Sequence, residues 1–153
     1  MNNKELLVAA IENGTVIDHI PSHKLFEVVR LLHLEQMHSP VTIGYNLQSA
    51  GMGQKSIIKI ADRFFTDDEL SQLAVVCPDA TLCIIHNFEI TEKRHIALPQ
   101  RLEGIVRCTN PRCISRNEPM KSVFLSLADQ QHLECHYCHT TIRIDEVKLE
   151  DIL

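Results

Sequence analysis

The rhythm of hydrophobic and polar positions changes several times along the chain, and each change marks an element. Residues 15–20, TVIDHI, are rich in β-branched side chains and stop at Pro21, which predicts a strand. Ser22 is placed to cap a helix in which Leu25, Val28, Val29 and Leu32 recur at helical spacing. Alternation returns at Val41, Ile43, Tyr45 and Leu47 and predicts a second strand with one buried face. A glycine-bearing turn, QSAGMGQK (48–55), leads into a third strand, SIIKI (56–60). Thr66 and Glu69 have the spacing of a capping box ahead of Leu70, Leu73 and Ala74, and Pro78 closes that helix. TLCIIHNFEI (81–90) predicts a long fourth strand. The order βαββαβ is the ferredoxin-like arrangement, a four-stranded antiparallel sheet with two helices on one face.

The pattern breaks at RHIALPQR (94–101), which predicts a short linker around Pro99. Beyond it, residues 104–108, 121–127, 132–135 and 140–144 predict short strands interleaved with cysteines. The chain therefore divides into an N-terminal domain, residues 1–97, and a small all-β C-terminal domain, residues 102–153, giving an α+β protein. A module of that size lies below the ~70–80 residues at which an apolar core alone usually suffices. Its cysteines supply the remedy. Cys108-x4-Cys113 and Cys135-x2-Cys138 are two knuckles separated by a loop, the spacing of one tetrahedral metal site. Four thiolates saturate Zn²⁺ and leave no position for water, so one zinc per chain is expected in a structural role, contributing an apparent ~10–16 kcal/mol to folding. Iron also accepts four sulfurs, and zinc is favoured on geometry and availability. His132, His136 and His139 flank the second knuckle but are not needed as ligands. Cys77, after a helix, and Cys83, within a strand, read as buried thiols.

Composition narrows the function. Hydrophobic residues make up 44% of the 153, enough for packed cores. Aromatics are 5%, without tryptophan, and the net charge is −5, so neither stacking platforms nor a basic footprint for nucleic acid is in evidence. The N-terminus carries no signal-peptide pattern and no apolar run reaches the ~18–20 residues of a membrane span, so a cytoplasmic protein without a membrane partner is expected. Walker, G-x-G-x-x-G, G-x-S-x-G and H-E-x-x-H motifs are absent, and nothing points to catalysis. The charges inside or beside strands are Asp18, His19, Lys59, Lys93 and Arg94. Asp18 and His19 are neighbours in a strand, which predicts opposite faces. The lysines with a carboxylate suit a phosphate and a ribose hydroxyl, although strand charges also serve as edge protection.

Several segments, in order, resemble the regulatory chain of aspartate carbamoyltransferase: GTVIDHIP (14–21), TIGYNLQSAGMGQKSIIKI (42–60), LPQRLEGIVRCTNPRCISRNEP (98–119) and CHYC (135–138). The resemblance covers essentially the whole chain. It implies a non-catalytic subunit whose N-terminal domain binds CTP and UTP as inhibitors and ATP as activator of pyrimidine synthesis. It also implies a zinc domain that docks on the catalytic chain, and regulatory dimers formed through N-terminal domains. Three such dimers would tie two catalytic trimers into a dodecamer. Carried onto this sequence, the nucleotide site comprises Val8, Ala10, Ile11, Val16, Asp18, His19, Ile57, Lys59, Ile85, Ile90 and Lys93. Lys93 and His19 would face phosphates, Asp18 the ribose, and Lys59 base and ribose, while the backbone at Ile11 would read the base's amino group. Asn110, Arg112 and Glu118 would face the catalytic chain. The chain departs from the family at Glu5, Ala9, Cys83 and Arg112. The competing class, a zinc-ribbon nucleic-acid binder with an N-terminal sensor or dimerisation domain, calls for a basic aromatic face that the near-neutral metal module lacks.

Overall fold

The computed structural model describes residues 10–51 and 53–153. The first part of the chain runs β1 (Gly14–Pro21), α1 (Leu25–Leu31), β2 (Val41–Ser49), β3 (Gly53–Ala61), α2 (Asp67–Val76), β4 (Thr81–His86) and β5 (Glu89–His95). These strands form one antiparallel sheet in the order β2-β3-β1-β4-β5. The βαββαβ order is thus present with a fifth strand appended. The expected long fourth strand is two strands, because Asn87 and Phe88 both take positive φ, 52° and 65°, and reverse the chain. Two left-handed residues in succession give the turn whose twist matches a hairpin.

Both helices pack on one face. Ile17 and Ile20 of β1, Ile58 and Ile60 of β3 and Leu82 of β4 meet Leu25, Val28, Leu73, Ala74 and Val76 in a single buried cluster. Gly14 lets β1 approach β3, since a Cβ there would collide with the Ile60 carbonyl. The Thr66–Glu69 capping box forms as the sequence predicts. Ser22 does not cap α1: a short 3-10 turn, Ser22–Lys24, intervenes, and the Ser22 hydroxyl bonds that of Ser56 at 3.1 Å.

The remainder comprises β6 (Arg101–Glu103), α3 (Ile114–Asn117), β7 (Val123–Ser126), β8 (His132–Cys135) and β9 (Thr141–Arg143), with the strands in sequence order in an antiparallel sheet. The first strand falls at 101–103 and not at 104–108. Gly104, at φ 66°, ends it, and of the expected segment only Val106 pairs, in an isolated bridge to Ile152. Strand pairing likewise takes Arg94, His95 and Arg101 out of the expected linker. Leu102, Val106, Phe124, Leu133 and Ile142 form this part's core together with three of the cysteines. Val75 of α2 is buried in that second core while its neighbours Ala74 and Val76 belong to the first, so α2 serves both. Among the described residues, no helix is long and apolar enough to cross a membrane.

Candidate ligand cavity and metal centre

The face of the first sheet away from the helices holds a cavity of about 840 Å³. Its floor is a small apolar cluster of Val16, Cys83 and Ile85, with Ile11 and Ile57 packed against it. Around this floor stand Asp18, Lys55, Lys59 and Lys93, with Leu47, Gln48, Ser49 and Ala50 along one wall and Phe88 and Ile90 along another. The composition, an apolar slot rimmed by cations with one carboxylate, suits a flat apolar or heteroaromatic group joined to an anion.

β-bulges, in which an extra residue lets two residues on one strand oppose one on the next, explain why residues at irregular spacing converge here. In β1, Ile17 pairs with Ile58 and Ile20 with Ser56, so Asp18 and His19 together face Ile57. His19 takes φ 58° and donates its N–H to Asp18 Oδ1 at 2.6 Å. The bulge keeps both Ile17 and Ile20 on the helix side, and so overturns the expectation that Asp18 and His19 point to opposite faces. In β5, Ile90 pairs with Ile85 and Glu92 with Ile84, which leaves Thr91 as the extra residue. Ile90 and Lys93, three apart, therefore share the cavity face. A further bulge sits in β2, where Gly44 pairs with Ile57 and Leu47 with Lys55. It sends Leu47 into the cavity, so Val41, Ile43, Tyr45 and Leu47 do not share one buried face. Ile43 and Tyr45 are 43% and 49% exposed.

The cavity gathers Ala10, Ile11, Val16, Asp18, Ile57, Lys59, Ile85, Ile90 and Lys93 of the expected set. His19 lies beside it, with Nδ1 3.9 Å from Asp18 Oδ2, but does not line it. Val8 falls outside the described residues. Sequence reasoning missed Lys55, Phe88 and the 47–50 wall. Lys55 Nζ lies 3.0 Å from Asp18 Oδ1, a half-buried ion pair. Burial pushes the Lys59 ammonium below its ordinary value, against the opposing pull of the Asp18 carboxylate. Burial likewise raises the Cys83 thiol, with Lys93 pulling the other way. Cys83 is thus buried as expected, but at the cavity floor.

At the far end of the chain, the sulfurs of Cys108, Cys113, Cys135 and Cys138 all lie within 4.8 Å of one another. The Cys108–Cys138 and Cys113–Cys135 separations are 3.5 and 3.7 Å. A tetrahedron with Zn–S bonds near ~2.3 Å has sulfurs about 3.8 Å apart, so the cluster fits such an ion. Burial raises the Cys108 and Cys135 thiols. Burial also works to raise Cys138, but its hydrogen bonding with Thr140, Asn110 and Cys108 outweighs this and brings that thiol down to about 6. A cation among the four offsets the cost of holding buried thiolates. None of the three histidines joins the cluster: His132 Nδ1 meets Asp129 at 2.6 Å, His139 lies 3.7 Å from Glu134, and His136 stacks edge-on to Tyr137. Asn110 shapes the first knuckle, its carbonyl accepting from the Cys113 N–H and its Oδ1 from that of Arg112. Arg112 and Glu118 are exposed, in company with Ile114 and Met120, which are 52% and 37% exposed.

A sheet that carries a cation-rimmed cavity, joined through a shared helix to a four-cysteine module, defines a two-part subunit in which the metal is structural. Two family models cover it: "Aspartate carbamoyltransferase regulatory chain, allosteric domain" over residues 6–97 and "Aspartate carbamoyltransferase regulatory chain, metal binding domain" over residues 100–148. The chain belongs to the family of aspartate carbamoyltransferase regulatory chains. It is 51% identical to the regulatory chain of Phocaeicola vulgatus over 150 residues, covering 97% of this chain and 96% of the relative. To that of Bacteroides thetaiotaomicron it is 49% identical, covering 97% of each. To that of the more distant Thermococcus sibiricus it is 39% identical, covering 91% and 93%. Membership makes it a non-catalytic regulatory subunit with a catalytic chain as partner.

Proposed function

We propose that the cavity binds nucleoside triphosphates, CTP and UTP as inhibitors and ATP as activator, and that the chain relays their binding to catalytic trimers. The observation that carries this reading is the convergence of Lys55, Lys59 and Lys93 with Asp18 around an apolar floor. Lys93 and Lys55 neutralise phosphates, and Asp18, held by Lys55, offers an acceptor to ribose hydroxyls. Lys59, half-buried beside the floor, would serve sugar and base. His19 would join the phosphate contacts only after its ring swings toward the cavity mouth. Val8 is carried as part of the site on resemblance.

In this reading residues 1–97 form the effector-binding domain and residues 102–153 the docking domain, held by one zinc per chain. Arg112, Glu118 and Asn110, with the exposed Ile114 and Met120 beside them, supply a mixed polar and apolar surface for the catalytic chain. The edge strand β2 suits a second copy of the chain. Among the described residues its outer backbone edge is unpaired, with Ile43, Tyr45 and the neighbouring Phe26 exposed and the last two rings 5.6 Å apart. Three such dimers joining two catalytic trimers make the dodecamer, placed in the cytoplasm. Titration of CTP and ATP into the zinc-loaded chain by calorimetry tests the site. Lys93→Ala is expected to weaken both by about tenfold or more, the scale of a lost charge-assisted phosphate contact. Unchanged affinity in that variant would remove the cavity from consideration.

A further inference from the structure

The bulges of β1 and β2 face each other across β3, and each is built on a non-glycine residue in the left-handed region. His19 takes φ 58° in β1 and Asn46 takes φ 58° in β2. The first places two residues opposite Ile57, and the second places Tyr45 and Asn46 opposite Ser56. On β3, Lys55, Ile57 and Lys59 face the cavity while Ser56, Ile58 and Ile60 are buried on the helix side. Strict alternation from Val41 would carry Ile43, Tyr45 and Leu47 onto the helix side together. The extra residue breaks that sequence, and Leu47 arrives opposite Lys55 on the cavity side. Leu47 through Ala50 then form a wall, although Tyr45 and Asn46 are not among the residues that line it.

We propose that Asn46 is a positioning residue of the effector cavity, its left-handed conformation setting the strand register that turns the Leu47–Ala50 wall toward Lys55 and Asp18. Asparagine tolerates this region better than other non-glycine residues, whereas a β-branched side chain is strongly disfavoured there. The side-chain amide is not what matters; the backbone conformation is. The inference rests on the cavity's being the nucleotide site, but its structural half stands independently of the ligand.

Calorimetric titration of CTP into the zinc-loaded full-length chain separates the possibilities, with cross-strand nuclear Overhauser effects between Leu47 and Lys55 read on the same samples. Asn46→Gly, which keeps positive φ accessible, is expected to bind within about twofold of the wild type and to keep the Leu47–Lys55 pairing. Asn46→Val is expected to bind about tenfold or more weakly and to lose that pairing, with its metal content unchanged. Should Asn46→Val fail to fold, Asn46→Ala serves, and must bind more weakly than Asn46→Gly. Wild-type affinity and pairing in the valine or alanine variant would overturn the proposal. Equal loss in Asn46→Gly would do so too, because it would assign the effect to the amide. Lys93→Ala separates the two levels: it should lose CTP while keeping the pairing. If the wild type itself bound no nucleotide, the site assignment would fall, and the pairing measurement alone would still decide whether Asn46 sets the register.

Discussion

Lys59 shows how a single residue's surroundings become a measurable property of the site. Burial lowers its pKa from the ordinary 10.5, and the Asp18 carboxylate only partly restores it. In the proposed site a ribose or base oxygen accepting a hydrogen bond from the ammonium favours the protonated form, so ligand binding raises the pKa again. Nucleotide affinity should therefore be complete at pH values below the free-state pKa and fall as pH rises through it. The loss begins at a lower pH than an unperturbed lysine would allow. In Lys59→Met this alkaline phase should vanish from the calorimetric affinity profile, leaving weaker but flatter binding. A profile identical to that of the wild type would show that Lys59 does not contact the ligand. The Asp18–Lys55 pair adds a further constraint at this scale. Lys55 Nζ straddles the carboxylate, 3.0 Å from Oδ1 and 3.2 Å from Oδ2, and the His19 N–H is bonded to the same Oδ1. A ribose hydroxyl must share or displace one of them.

At the scale of elements, the parts of the structure legible in the sequence are those set by short-range chemistry. The Thr66–Glu69 box needs only two residues three apart, and it forms as their spacing predicts. Replacing Thr66 by alanine should cost about 1 kcal/mol in denaturant unfolding, the usual value of an N-cap hydroxyl. The four cysteines are legible for the same reason, since their spacing dictates two knuckles whatever lies between. The bulges are not legible, because an extra residue in one strand is defined only against its partner strand. Asn46 and Asn87, both able to take positive φ, are faint signals inside otherwise regular apolar runs. Without the reversal at Asn87–Phe88, strands β4 and β5 merge into one, and Lys93 falls beyond the sheet. The β6–β9 sheet carries its own prediction. Chelation of the metal, or Cys108→Ser, should abolish hydrogen-exchange protection in Val123–Ser126 and His132–Cys135 before it affects β1 and β3. Simultaneous loss of protection in both sheets would mean that the metal holds the whole chain and not one module.

At the scale of the whole molecule, two surfaces and one shared helix frame the behaviour expected of a regulatory subunit. The exposed edge of β2 should lose self-association when charged: Tyr45→Glu is expected to convert a dimer to a monomer in sedimentation, with the metal retained. A dimer that survives would move the self-contact elsewhere. Helix α2 joins the two cores through Val75 on one side and Leu73, Ala74 and Val76 on the other, and Gln72 donates to the Leu153 carbonyl at 3.0 Å. Whatever a ligand does to the first sheet thus meets the metal-built part through packed side chains. Effector binding shifts activity only if it favours one arrangement of the assembly over another, typically by ~1–3 kcal/mol of coupling.

Mixing the zinc-loaded chain with catalytic trimers, and recording assembly mass and carbamoyltransferase activity together, tests whether the chain is a nucleotide-responsive regulator. The expected product is a species with the mass of two catalytic trimers and three regulatory dimers, whose activity falls with CTP and rises with ATP, and a Lys93→Ala assembly of the same mass that responds weakly to either. Trimers that remain unassembled in the presence of zinc, or an assembly whose activity ignores both nucleotides, would contradict it.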